Sequence, residues 1–136
     1  MVRYRIGLLA LVAACAPLAW ALPAGARQST VRATTITVTA GKPSEFHFTL
    51  SKKTALHGTV TFKVTNKGNL PHDFKVCTAA AKAATALTCA GHGTALISPG
   101  SSGTLKITFK KAGTFEYLCT VSGHAAAGMK GLLKVT

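Results

Sequence analysis

From residue 36 onward, apolar side chains recur at every second position, the spacing that lines one face of a β-strand. Ile36 and Val38 alternate with threonines, and Gly41-Lys-Pro-Ser44 reads as a turn. Phe46, Phe48 and Leu50 then share a face, which leaves Glu45, His47 and Thr49 pointing outward. Val60, Phe62 and Val64 repeat the pattern until Asn66-Lys-Gly-Asn69 ends it, and a further strand opens over His72 to Cys77. Leu105, Ile107 and Phe109 follow the turn Ser98-Pro-Gly-Ser-Ser-Gly103. Beyond Lys111-Ala-Gly113 come Phe115, Tyr117 and Cys119, and Leu133 and Val135 line a last strand. One stretch breaks the rhythm: residues 78–87 are Ala-rich with good helix propensity, and a short helix or irregular flap is expected between residues 78 and 90. Seven or eight short strands with frequent Gly and Pro turns predict an all-β sandwich.

The first residues follow a different logic. Arg3 and Arg5 make a positive head, residues 6–20 are almost wholly apolar, and Ala24-Gly-Ala26 is a small-residue cleavage signal. Together they predict a secretory signal over 1–26 and one working domain over 27–136. A retained anchor fits less well, because Pro17 and Pro23 interrupt a run that falls short of the roughly 20 residues a span needs. Leu11-Val-Ala-Ala-Cys15 also resembles a lipobox in which Cys15 would be lipidated, but the residues after it stay apolar where a tether is usually polar. The protein is therefore expected outside the cytoplasm, periplasmic or extracellular, with membrane association left open.

Charge narrows the partners. The 136 residues carry a formal net charge of +13, with only Glu45, Asp73 and Glu116 on the acidic side. Such an excess steers a protein toward anionic partners, either acidic protein surfaces or the anionic face of a membrane. Nucleic acid is excluded on pattern: the lysines are scattered singly, no Arg-rich run occurs, and few aromatics could stack on bases.

The chemistry is concentrated near the end. Tyr117-Leu-Cys-Thr-Val-Ser-Gly-His-Ala-Ala-Ala-Gly-Met-Lys130 sets Cys119, His124 and Met129 at even steps in a Gly-rich loop, and His72 lies upstream beside Leu70-Pro71. Two imidazoles, a thiolate and a weak thioether are the ligand set of a blue-copper electron-transfer site. Zinc accounts poorly for the thioether, since it prefers Cys, His or carboxylate. Cys119 shares the inward parity of Phe115 and Tyr117, and the loop beyond it can fold back onto the same point. With Cys119 taken by metal, Cys77 and Cys89 remain in the working domain and are expected to pair in an oxidising compartment. Closing a loop of about a dozen residues would contribute roughly 3 kcal/mol. The rival role, as further metal ligands, lacks a C-x-x-C spacing. His47, His57 and His92 share no ligand spacing and read as surface or turn residues.

Pro71-His72-Asp-Phe74 and the C-x4-H-x4-M loop from Cys119 to Met129 resemble the cupredoxins, the small blue-copper proteins that include plastocyanin and azurin. The wide loop is similar to those of the rusticyanin and auracyanin branches. The resemblance implies a Greek-key sandwich, one copper ion cycling between Cu(II) and Cu(I), equatorial ligands His72, Cys119 and His124, and an axial Met129. It implies a monomeric electron carrier with redox partner proteins, and no enzymatic role. A copper-binding protein for delivery or storage is the alternative. Where cupredoxins commonly carry Asn after the first histidine, this chain has Asp73, whose carboxylate would accept hydrogen bonds from the Cys119–Thr120 region and favour Cu(II). If the His124 edge reaches the surface, Ala125, Ala126 and Ala127 would form a flat apolar patch around it.

Overall fold

The computed structural model describes residues 33–136. The expected export signal over 1–26, with Cys15, and the stretch 27–32 lie outside the described residues.

Among the described residues nine strands form two packed sheets: β1 (Thr34–Ala40), β2 (Phe48–Leu50), β3 (Thr54–Ala55), β4 (Gly58–Asn66), β5 (Lys75–Ala80), β6 (Gly91–Gly93), β7 (Ser102–Phe109), β8 (Gly113–Leu118) and β9 (Lys130–Val135). One sheet has the order β2-β1-β4-β7, the other β3-β9-β8-β5-β6. The all-β sandwich expected from alternation is present. The count exceeds seven or eight because β3 and β6 are edge pieces of two and three residues, too short to show a period.

Alternation becomes burial in the longer strands. Ile36, Val38 and Ala40 of β1 and Val60, Phe62 and Val64 of β4 are almost wholly enclosed, while Lys63 between them faces solvent. From the second sheet, Val76, Tyr117, Leu133 and Val135 meet them across a single core, and Phe74 fills its centre edge-on to Phe48. β1 and β4 run parallel in register, Ala40 beside Asn66, so both end at one pole of the sandwich. β7 starts there, Ser102 opposite Thr65, and Asn66 ties this end to the loops before His72 and around Ile97. Loops 41–47, 67–74, 94–101 and 119–129 therefore gather at the same end.

Two local expectations change: of the helix or flap foreseen between 78 and 90 the flap is present, and the strand foreseen over 46–50 is shortened. No helix occurs among the described residues: Thr78 to Ala80 continue β5, and 81–90 form an irregular flap closed by a Cys77–Cys89 disulfide. The eight residues between the end of β5 and Cys89 leave little length to offset the cost of nucleating a helix. The second correction concerns 43–47, which the alternation extended into β2. The chain turns there, so Glu45 is not an outward strand residue and Phe46 leaves the core face, 36% exposed.

Candidate metal centre

His72 follows Pro71 and is pinned by a two-way backbone bridge to Ile97, at 3.1 and 2.7 Å. Cys119 emerges where β8 ends, with its side chain wholly buried. Between Cys119 and Met129 the chain folds on itself: His124 N–H donates to Val121 C=O (3.0 Å), Met129 N–H to His124 C=O (3.0 Å) and Cys119 N–H to Met129 C=O (3.0 Å). Gly123 and Gly128 take positive φ values of 81° and 106° at the two corners, a region that favours glycine. The loop thus returns Met129, fully buried, beside Cys119.

The result is a tight triangle. His72 Nδ1 lies 3.1 Å from His124 Nδ1, and Cys119 Sγ lies 3.5 Å from His124 Nδ1 and 4.0 Å from His72 Nδ1. One ion at about 2.0–2.3 Å from nitrogen and sulfur donors holds them no more than about 4 Å apart. The three donors fit a single metal without further movement. Burial raises the metal-free Cys119 thiol to about 11 and lowers the His124 imidazole, with the neighbouring His72 adding to the latter. Both effects keep the two groups neutral, and a metal must displace the thiol proton.

The residues around the triangle are equally specific. Both oxygens of Asp73 are engaged by Thr120, through its backbone N–H and its hydroxyl, which joins the loop of the first histidine to that of the cysteine. Glu45, expected to face solvent, instead lies 2.8 Å from His72 Nε2 and accepts the N–H groups of Asn69 (2.9 Å) and Leu70 (3.0 Å). These bonds, the backbone ones foremost, hold its carboxyl down at about 2. Phe46 sets its ring edge against His124, centroids 5.0 Å apart. Asn66, read as the start of a turn, is fully buried; its amide donates to Leu70 C=O (2.8 Å) and Ile97 C=O (2.9 Å) and accepts Gly68 N–H (2.9 Å). Its parity with Val60, Phe62 and Val64 was the available signal, an amide at an inward position. Ala125 departs from the expected surface patch: it is buried near Leu118 and the disulfide, leaving Ala126 and Ala127 exposed. His47 and His92 are exposed, and His57 only meets Thr136 C=O (3.1 Å).

Comparison with known proteins agrees with this geometry. The family described as copper binding proteins, plastocyanin/azurin family, matches residues 34–136. The copper-resistant cuproprotein CopI of Rubrivivax gelatinosus is 35% identical over 85 residues, 57% of this chain and 52% of that protein. Auracyanin-B of Chloroflexus aurantiacus is 46% identical over 43 residues, 32% of this chain and 18% of that one. The chain thus spans about half the length of the first relative and less than a fifth of the second. Among solved structures, auracyanin B superposes with a TM-score of 0.61 at 25% identity, covering 76% of this chain and 88% of that one. Rusticyanin from Thiobacillus ferrooxidans gives 0.58 at 27% identity, over 76% and 77% of the two chains. Copper is the cofactor that this donor set and this likeness jointly specify.

Proposed function

Because the chain belongs to the plastocyanin/azurin family of copper-binding proteins, we propose that it is a one-electron carrier working outside the cytoplasm. His72, Cys119 and His124 are its equatorial ligands and Met129 its long axial one. When bound, copper supplies the one-electron Cu(II)/Cu(I) couple; the polypeptide supplies rigidity, dryness and access. One observation carries the reading: a buried thiol and two imidazole Nδ1 atoms lie within 4.8 Å of one another. Each is held by bonds that need no metal, His72 by Ile97 and Glu45, Cys119 and His124 by Met129. Such a cage has little to rearrange when an electron arrives.

Access is through His124, which is 7% exposed beside the exposed Ala126, Ala127 and Phe46. Redox proteins with an acidic docking surface suit this face, with lysines steering the approach; peripheral contact with anionic lipid suits the same charge. The apolar run over 6–20 and the Cys77–Cys89 disulfide support export, since disulfides persist in oxidising compartments. The carrier is monomeric in this reading. Ala126→Glu should slow electron exchange with a partner while leaving the colour intact; equal rates in both proteins would reject this docking face.

The likeness to a copper-resistant cuproprotein favours a second reading, copper delivery or storage. Voltammetry of the copper-loaded protein, followed by challenge with a mild chelator, separates the two. A reversible one-electron wave and copper retained by the protein support the carrier. Rapid loss of the ion to the chelator, without such a wave, supports delivery.

A further inference from the structure

We propose that Glu45 is the residue that presents His72 to copper: its carboxylate takes the ring's Nε2–H, fixing the tautomer whose Nδ1 is bare toward Cys119 and His124, and its charge biases the centre toward Cu(II). The inference rests on the copper reading above and assigns it a third loop, 41–47, besides the two that carry the ligands.

The placement of Glu45 is built into the backbone. A side chain on Gly41 would meet Gly68 Cα and N at 2.4 Å, so the two loops touch main chain to main chain. A Cβ on Gly68 would lie 2.3 Å from Glu45 Oε1 and 3.0 Å from His72 Nε2, so the carboxylate occupies space that only glycine leaves open. Once there, it collects three donors, the N–H groups of Asn69 and Leu70 and the His72 ring, and lies partly shielded from solvent. An acceptor-only carboxylate at 2.8 Å requires hydrogen on Nε2. A carboxylate bonded to the far nitrogen of a ligating imidazole orients the ring and raises its donor strength.

A consequence follows for the other histidine. The two Nδ1 atoms, 3.1 Å apart, have room for one proton between them. With the His72 proton held on Nε2, the shared proton in the metal-free protein belongs to His124 Nδ1. His124 is then the imidazole that changes tautomer on metal binding, its proton moving from Nδ1 to Nε2, while His72 stays as it was.

The test is 15N NMR of the imidazole rings in metal-free and Cu(I)-loaded protein, at a pH well above the ordinary imidazole value, together with the reduction potential. In the native protein the His72 proton is expected on Nε2 in both states, and the His124 proton on Nδ1 only without metal. Glu45→Ala should leave His72 without a single tautomer and lower the Cu(II):Cu(I) affinity ratio about tenfold, read as a potential higher by about 59 mV. Glu45→Gln still offers an oxygen to Nε2–H, so it should restore the tautomer yet keep the potential raised. A native His72 protonated on Nδ1, or a Glu45→Ala protein with unchanged ring spectra and potential, overturns the proposal. Failure of the native protein to take up copper would count against the copper site itself, and the metal-free ring spectra would still decide the part played by Glu45. Should Glu45→Ala not fold, the native spectra and those of Glu45→Gln decide the same question.

Discussion

Cys119 cannot offer its thiolate to a metal without losing a proton, and in the metal-free protein burial holds that proton up to about 11. Above the ordinary imidazole range and below that value, copper uptake expels one thiol proton, so apparent affinity should rise by about tenfold for each unit of pH. Calorimetry in buffers of differing ionisation enthalpy checks this by counting the proton released. Asp73 tests a different term. Asparagine can still accept the Thr120 N–H, so Asp73→Asn should keep the loops joined while removing a negative charge beside the metal, and the potential should rise. An unchanged potential would remove that role. The four proposed ligands could be picked out because donor chemistry and spacing survive without a structure: Cys119, His124 and Met129 are stepped along one loop, and His72 follows a proline. Glu45 was hidden because a two-residue alternation extended one turn too far assigns it to solvent. Its only signal was scarcity, one of three carboxylates in the chain.

At the scale of elements, the flap between β5 and β6 depends on side-chain bonds more than on ladder pairing. Cys77 and Cys89 are 12 residues apart in sequence, and their bond sits with Leu118 and Ala125 against the strand and loop that carry the proposed metal ligands. Replacing both cysteines by alanine should lower unfolding free energy by about 3 kcal/mol in urea titrations, with the blue colour retained. Glu116, 3% exposed on β8, accepts Ala86 N–H at 2.9 Å and braces the same flap. Glu116→Ala leaves that donor unpaired and should cost about 1–3 kcal/mol by the same measurement. β1, β4 and β7 were legible because each has one buried face, which imposes the period. For the flap, helix and irregular path stayed open because alanines favour a helix locally; a cross-link, a strand at either end and one buried carboxylate decide its path. Glu116 itself sits between Phe115 and Tyr117, a position that alternation gives to solvent.

For the molecule as a whole, the sandwich followed from the sequence because nearly every strand alternates, whereas the crowding of four loops at one pole needed the parallel pairing of β1 with β4. Charge is equally unbalanced. Each of the three carboxylates is committed internally, Glu45 to His72 and the 69–70 backbone, Asp73 to Thr120 and Glu116 to Ala86. No lysine–carboxylate pair occurs among the described residues. The lysines therefore act outward, and electron exchange with an anionic partner should slow steeply as salt rises past the range where the screening length falls to about 10 Å. Stopped-flow rates at increasing ionic strength check this, and a flat profile would rule out electrostatic steering. The central claim is most directly tested by titrating Cu(II) into the metal-free protein and following visible absorption. A blue band that saturates at a single equivalent, bleaches with ascorbate and is missing from Cys119→Ser is the expected result; a colourless complex, or a band that survives the loss of Cys119, would contradict it.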